Sequence, residues 1–300
     1  MKTKTYLSIL ALTLAEITVA AETPSDSSTV SQMPTVTVFD HSLLAEEQPA
    51  DDTGRPEWTG ARRFGNTRIY IQQAPWEVGV ETWWRLENNP NHTLSHRLLE
   101  EVEIGLPGRM QLDLYQDIEG NGKARFHWQS FNVELRYALA DWGKIWGNPT
   151  LYSEYKFADH HWGPDVYEEK LLLGDQIATR WHWGANFVWE AETGGDREQE
   201  FQITGGLSYS VIDGKLGIGV ETLYDHDSLK NMRGSAAAEI FAVGPSIQWR
   251  VTKHMHVDLN CMFGTNKDSQ RQIGFLIFGY DFGRGESGNH AYTPISGQRN

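Results

Sequence analysis

Cysteine, long apolar runs and positive charge are scarce in this sequence. Cys261 is the only cysteine, so an intrachain disulfide is excluded. After residue 21, no apolar run approaches the roughly 20 residues that a transmembrane helix needs. The chain has 26 Lys and Arg against 40 Asp and Glu, a formal net charge of -14. Because binding to phosphates needs clustered cations, we expect no nucleic-acid partner.

Recognisable catalytic motifs are also missing. There is no G-x-S-x-G, no phosphate loop and no dinucleotide fingerprint. His160 and His161 lie between Asp159 and Asp165, but their spacing matches no standard metal site, and a polar His-rich loop is the favoured interpretation. The sequence therefore predicts no catalytic residue, no cofactor and no metal. An enzyme that modifies outer-membrane lipid remains an open alternative.

The amino terminus has the pattern of a secretion signal. Lys2 and Lys4 precede an apolar stretch over 6–15, and small residues at 19–21 form a cleavage site. We expect residues 1–21 to be a signal peptide that is removed after Ala21. The mature chain is then expected outside the cytoplasm.

Apolar and polar residues alternate in segment after segment of 76–282. In 76–86, Val78, Val80 and Trp84 share one face, and Glu77 and Glu81 share the other. About twelve such segments follow one another, and each is at least as long as the 9–11 residues that a membrane-spanning strand needs. They cover 76–87, 94–106, 110–119, 124–140, 150–158, 164–174, 179–191, 198–212, 215–225, 238–252, 254–264 and 270–282. The fold class predicted is all-β, a transmembrane antiparallel up-and-down β-barrel.

The breaks between these segments support the same fold. Every second connection is expected to be short, as at 107–109 and at 212–215, where Asp-Gly indicates a hairpin. The connection 141–149 is longer than this rule predicts. Segment 124–140 is too long for one crossing, so we expect a bulge near Gln129 and Ser130.

The energetic cost of charge in lipid decides which face of each segment points inward. An Arg or Lys facing lipid near the midplane costs about 2–4 kcal/mol, so the charged set must line the lumen. The lumen-lining candidates are Glu81, Arg85, Arg97, Glu101, Glu103, Asp113, Glu134, Arg136, Glu154, Lys156, Arg180, Glu190, Glu221 and Asp258. They line either a water-filled pore or a lumen plugged by its own ion pairs. Acids outnumber bases, so a pore would favour cations.

Residues 22–75 differ in composition from the barrel segments. They are predicted to form a flexible periplasmic leader that either extends from the barrel or folds into its mouth. Its β-prone island at 34–39 is similar to the energy-coupling box of TonB-dependent receptors, which implies a weak periplasmic partner. Only about 35 residues separate this island from the barrel, so a plain β-prone segment is favoured. Residues 283–300 are predicted to be a polar tail.

The last segment, QIGFLIFGYDF, carries Phe278, Tyr280 and Phe282 on one face. It resembles the carboxy-terminal signal that the barrel-insertion machinery reads in outer-membrane proteins. The resemblance implies that this machinery is a partner and that outer-membrane lipid surrounds the barrel.

Several motifs resemble bacterial outer-membrane barrels of a transporter-like family whose name refers to phenol degradation. These motifs include EEVEIGLPGRMQLDLYQ, DVYEEKLLLG and GGLSYSVIDGKLGIGVE. The resemblance implies passive uptake of small-molecule solutes, aromatic or hydrophobic ones among them, across the bacterial outer membrane. A closed barrel whose loops at 159–164 and 226–238 bind a surface partner is the alternative.

Overall fold

The structure is a computed structural model that describes residues 44–60, 62–122, 125–229 and 238–283. The signal peptide, the island at 34–39 and the tail beyond residue 283 lie outside the described residues. Two short 3₁₀ turns, Ala45–Glu47 and Glu57–Thr59, precede the strands. In the described part of the chain, no helix has the length and apolar character that crossing a membrane requires.

Twelve antiparallel strands close into one barrel, which confirms the predicted fold class. Each strand pairs with the next along the chain, and β1 closes the ring against β12 in a register that joins Val78 to Phe282 and Asn88 to Gln272. The strands are β1 (Val78–Asn88), β2 (Leu94–Leu106), β3 (Met110–Asn121), β4 (Phe126–Ala138), β5 (Thr150–Ala158), β6 (Val166–Ala178), β7 (Trp181–Glu192), β8 (Gln199–Ile212), β9 (Leu216–Ser228), β10 (Ala238–Arg250), β11 (Met255–Gly264) and β12 (Gln272–Phe282).

The two faces of the sheet have opposite chemistry, as the alternation predicts. In β4, Leu135 and Tyr137 are exposed on the outside, and Glu134 and Arg136 are buried inside. An apolar outer surface on a closed barrel is what a lipid bilayer covers, and closure leaves no unpaired strand edge within the lipid. The polar core of this protein is therefore its lumen.

Connections at the two ends of the barrel differ in length. At the end where β1 begins, here called the turn end, 107–109, 179–180, 213–215 and 251–254 are short. Connections at the opposite end, the loop end, are mostly longer. The exception at the turn end is 139–149. In β4, Gln129 has no partner between the pairs that Trp128 and Ser130 form with β3, so the predicted bulge is present.

Residues 44–60 and 62–77 pack against the inner wall and the turn end of the barrel, and we call them the plug. Trp58, Phe64 and Ile71 are almost fully buried there. At Gly206 of β8, a Cβ atom would lie 2.4 Å from the Phe64 ring, so only glycine lets the plug approach this wall. Of the two alternatives for the leader, folding into the barrel describes residues 44–60 and 62–75, because their apolar and cationic side chains find partners in the lumen. Residues 22–43 lie outside the described residues.

Candidate functional site: a cavity above the plug

Contacts with the connections hold the plug at the turn end. The backbone N–H groups of Ala45 and Glu46 donate to the Asp213 carboxylate in the β8–β9 turn, at 2.9 and 3.1 Å. The Trp142 N–H donates to the Thr53 carbonyl at 2.9 Å, from the long 139–149 connection. This connection is long because it covers the plug. The turn end of the lumen is closed in this structure.

Arginines of the plug form ion pairs with three carboxylates on the adjacent strands β1 and β2. Arg62 Nη2 lies 2.6 Å from Glu81 Oε2, and Arg68 Nη2 lies 3.0 Å from Glu101 Oε1. Arg68 Nη1 also approaches Glu103 Oε1 at 3.5 Å. All these groups are buried, so each charge depends on its partner, because an unpaired ion in a dry interior is strongly disfavoured.

Backbone groups of the plug bind a further lumen carboxylate. The N–H groups of Gly65 and Asn66 each donate to Glu221 at 2.8 Å. On the neighbouring wall, the Asn186 side chain accepts from the Arg68 N–H at 2.7 Å and donates to the Arg68 carbonyl at 2.6 Å. Since the plug has no strand partner here, side chains of the wall satisfy its backbone.

Above the plug, the loop-end half of the lumen holds a cavity of about 520 Å³. Asn66 and Arg68 of the plug form its floor, and its walls come from β1 to β10 and β12. Eleven carboxylates and five cationic side chains line it. The carboxylates are those of Glu87, Glu101, Asp117, Glu119, Glu134, Glu154, Glu168, Glu190, Glu200, Asp225 and Asp227, and the cations are Arg68, Arg85, Arg97, Lys156 and Lys170.

The cations of the cavity are paired on one side of it. Arg97 Nη2 lies 2.5 Å from Asp117 Oδ2, and Lys156 Nζ lies 2.8 Å from Glu168 and 2.5 Å from Glu190. Since carboxylates outnumber cations, an excess of negative charge remains after pairing. Such a lining attracts cations and repels anions.

The predicted lumen-lining residues fall into three groups. Those that are at most 3% exposed within the lumen are Glu81, Glu101, Glu103, Asp113, Glu134, Arg136, Glu154, Glu221 and Asp258. Those that line the cavity with more exposure are Arg85, Arg97, Lys156 and Glu190. Arg180 differs, because it lies in the two-residue turn after β6, where its guanidinium donates to the carbonyl of Ser210 at 2.9 Å. Any role of these residues in passing a solute stays a prediction.

Phe278, Tyr280 and Phe282 lie on the outer face of β12 and are exposed. Their side chains share one face because every second residue of a strand points the same way. Their recognition by the insertion machinery stays a prediction.

Sequence reasoning missed two sets of functional side chains. Arg62 and Arg68 of the plug were not singled out, although both stand in a short segment with apolar neighbours. Glu200, Asp225 and Asp227 were also missed, although each occupies the polar phase of its strand. Glu200 and Asp225 lie within the predicted segments 198–212 and 215–225, and Asp227 lies just beyond the second, in the part of β9 that the prediction did not include.

The loop 159–165 is organised by a single carboxylate. Asp165 accepts from the Ala158 N–H at 2.9 Å and from the Tyr155 hydroxyl at 3.1 Å, and His160 Nε2 lies 3.0 Å from it. The hydrogen bond from Ala158 is the largest cause that lowers the pKa of Asp165 below its ordinary value. These partners hold the loop, so its polar residues have a structural role.

Residues 169–282 match the model of the family described as "Putative MetA-pathway of phenol degradation", which confirms the predicted resemblance. None of the curated proteins compared with the chain matches it. Three of the solved structures that are similar to the chain are porins or outer-membrane channels. The NanC porin is 12% identical, and the match covers 68% of this chain and 98% of that one with a TM-score of 0.48. An outer-membrane channel from Pseudomonas putida F1 is 10% identical, and the match covers 74% of this chain and 100% of that one with a TM-score of 0.49. The KdgM porin in complex with disordered oligogalacturonate is 9% identical, and the match covers 68% of this chain and 99% of that one with a TM-score of 0.47. The closed barrel with its apolar outer surface places the chain in the bacterial outer membrane.

Proposed function

We propose that this outer-membrane β-barrel, related over residues 169–282 to the phenol-degradation family, is a passive channel for small solutes. The cavity above the plug carries the proposal. It is a polar space of about 520 Å³ inside a closed barrel, the size of pockets that hold small molecules. A solute that enters at the loop end meets the plug as the remaining barrier.

Passage then requires the plug to move. Its polar contacts with the walls are ion pairs and hydrogen bonds, which water can replace at modest net cost once the segment leaves. Its apolar contacts, such as that of Phe64 with Gly206, are lost in that step. The barrel does not depend on the plug for closure, because β1 pairs with β12 over its full length. The same sheet can therefore hold a closed and an open lumen.

A reversible crosslink tests this proposal. The Thr67 and Thr204 hydroxyls lie 3.1 Å apart, one on the plug and one on β8. Thr67→Cys and Thr204→Cys, with Cys261→Ser to remove the native thiol, should form a disulfide that fixes the plug. We expect conductance in planar bilayers when this protein is reduced and a loss of conductance when it is oxidised. The single variant Thr67→Cys with Cys261→Ser is the control and should conduct in both states.

Absence of conductance from the native chain and from the reduced variant under all voltages would remove the channel proposal. The closed turn end favours a second function, a barrel that binds a surface partner through the loops at its other end. A second cavity of about 540 Å³ lies among 160–165 and 193–195 and would offer the surface for it. Binding without conductance would support that alternative.

A further inference from the structure

One wall of the cavity combines apolar side chains with carboxylates that have no cationic partner. Leu223, Ile240 and Phe275 point into the lumen and are at most 8% exposed. Leu223 and Phe275 belong to one buried apolar cluster of β9 to β12. This apolar patch lies in a lumen whose walls are mostly polar, and it offers a surface for the apolar body of a ligand.

The carboxylates stand directly beside this patch. Asp225 is the pairing partner of Ile240 in the β9–β10 ladder and lies two residues from Leu223 on the same face. Oxygens of Glu200, Asp225 and Asp227 all lie within 4.8 Å of one another. Among the described residues, no lysine, arginine or histidine forms an ion pair with these three side chains. Three carboxyl groups are thus crowded together here, and Arg85 acts on Asp225 without forming an ion pair with it.

The hydrogen bonding of the Asp225 carboxylate is incomplete in this structure. It is 7% exposed, and its Oδ1 atom has no hydrogen-bond donor. Its other oxygen accepts from Gln202 Nε2 at 3.5 Å, and Glu200 is a further hydrogen-bonding neighbour of the side chain. The nearby Arg85 is held by Glu87, at 2.5 Å. A buried carboxylate oxygen without a donor is costly, so a cationic ligand that donates to it would relieve that cost.

We propose that this wall binds small organic cations that carry an apolar body, such as aryl- or alkylammonium ions. The ammonium group donates to Asp225 beside Glu200 and Asp227, and the apolar body packs against Leu223, Ile240 and Phe275. The inference rests on the proposed channel and names the class of solute that the channel selects. Charge and apolar contact are both required, which separates this class from inorganic cations and from neutral aromatics.

Equilibrium binding to the purified full chain in detergent micelles tests the inference. Phenethylammonium is the probe, 2-phenylethanol has the ring without the charge, and ethylammonium has the charge without the ring. By isothermal titration calorimetry, we expect phenethylammonium to bind at least about tenfold more tightly than either comparator, the effect of one charge-assisted hydrogen bond or one buried apolar group. Equal binding of either comparator would overturn the inference, and so would Ca²⁺ binding without a preference for phenethylammonium.

Substitutions separate the contribution of the charge from that of the apolar contact. Asp225→Asn should abolish the preference over 2-phenylethanol, and Ile240→Thr should reduce the preference over ethylammonium. Glu239→Gln is the matched control, because Glu239 adjoins Ile240 in β10 but is exposed on the other face. It should keep both ratios. Retention of both ratios by Asp225→Asn would contradict the site.

The binding site and the channel are tested by different measurements, so either claim can fail without the other. Binding is measured without transport, so the preference without any conductance removes the channel and keeps the site. Conductance without the preference keeps the channel and removes the site.

Discussion

Arg136 of β4 illustrates how a charged side chain is held in the lumen. It is fully buried, its Nη2 lies 2.8 Å from Asp113 and its Nε lies 2.5 Å from Glu134. Its Nη1 donates to Gln72 of the plug at 2.9 Å. The guanidinium thus joins two strands to the plug. Its two carboxylate neighbours depend on it, because both are at most 1% exposed.

Arg136→Met should lower the free energy of unfolding by about 3–5 kcal/mol, since it leaves two buried carboxylates without their cation. Urea unfolding in micelles, followed by tryptophan fluorescence, measures this. Arg109→Met is the control, because Arg109 pairs with Asp141 at the exposed turn end. Its stability should stay close to that of the native chain. Equal stability of the two variants would show that the lumen carboxylates do not need Arg136.

The plug is the element whose packing depends most on a few side chains. Trp58 is fully buried, and the centroid of its ring lies 4.3 Å from that of His182 and 5.6 Å from that of Trp142. The 139–149 connection supplies Trp142, and Tyr70 contacts the same ring at 5.2 Å. Aromatic packing therefore joins the plug to the one long connection at the turn end.

Trp58→Ala should release the plug and leave the barrel folded. Loss of a buried tryptophan costs about 3–5 kcal/mol, so trypsin should cut after Arg62 or Arg63 at least about tenfold faster. Trp146→Ala is the control, because Trp146 is 77% exposed on the same connection. Folded barrels keep their heat-modifiable migration in SDS gels, which checks the sheet. Unchanged cleavage of Trp58→Ala would mean that its ring does not hold the plug.

At the scale of the whole molecule, the charge of one part of the plug is opposite to that of the wall it contacts. Residues 62–76 carry Arg62, Arg63 and Arg68 and no acid, and the walls carry an excess of carboxylates. When this part of the plug leaves, Glu81, Glu101 and Glu103 lose the cations that pair with them. The wall of β1 and β2 is then more negative than in the closed lumen.

The open channel should therefore prefer K⁺ over Cl⁻ in a reversal-potential measurement across a KCl gradient. Joint replacement Glu101→Gln and Glu103→Gln should reduce this preference, because both face the ion path once Arg68 is gone. Glu239→Gln on the outer face should leave it unchanged. Anion preference of the native channel would contradict the charge argument.

The strands were largely predictable, and the plug was not. The limits of β2 and β5 match the predicted 94–106 and 150–158, because alternation there continues to the last paired residue. β6 was predicted to end at 174, but it continues to Ala178. Asp175 and Gln176 break the apolar phase, yet they pair with β7, so hydrogen bonds to the neighbour rather than local pattern set that limit.

Alternation along the chain by itself determined the barrel, its strand number and the inward phase of its charges, since lipid on one side and water on the other enforce a period of two. Tertiary structure alone decided that the segment after residue 43 enters the lumen. Its partners are remote, as for Gln73 and Asp281, which are 208 residues apart. It likewise decided which carboxylates meet an arginine and which, like Asp225, face an apolar wall without one. The pattern of adjacent residues in the sequence does not reveal such pairs, because closure of the barrel brings them together.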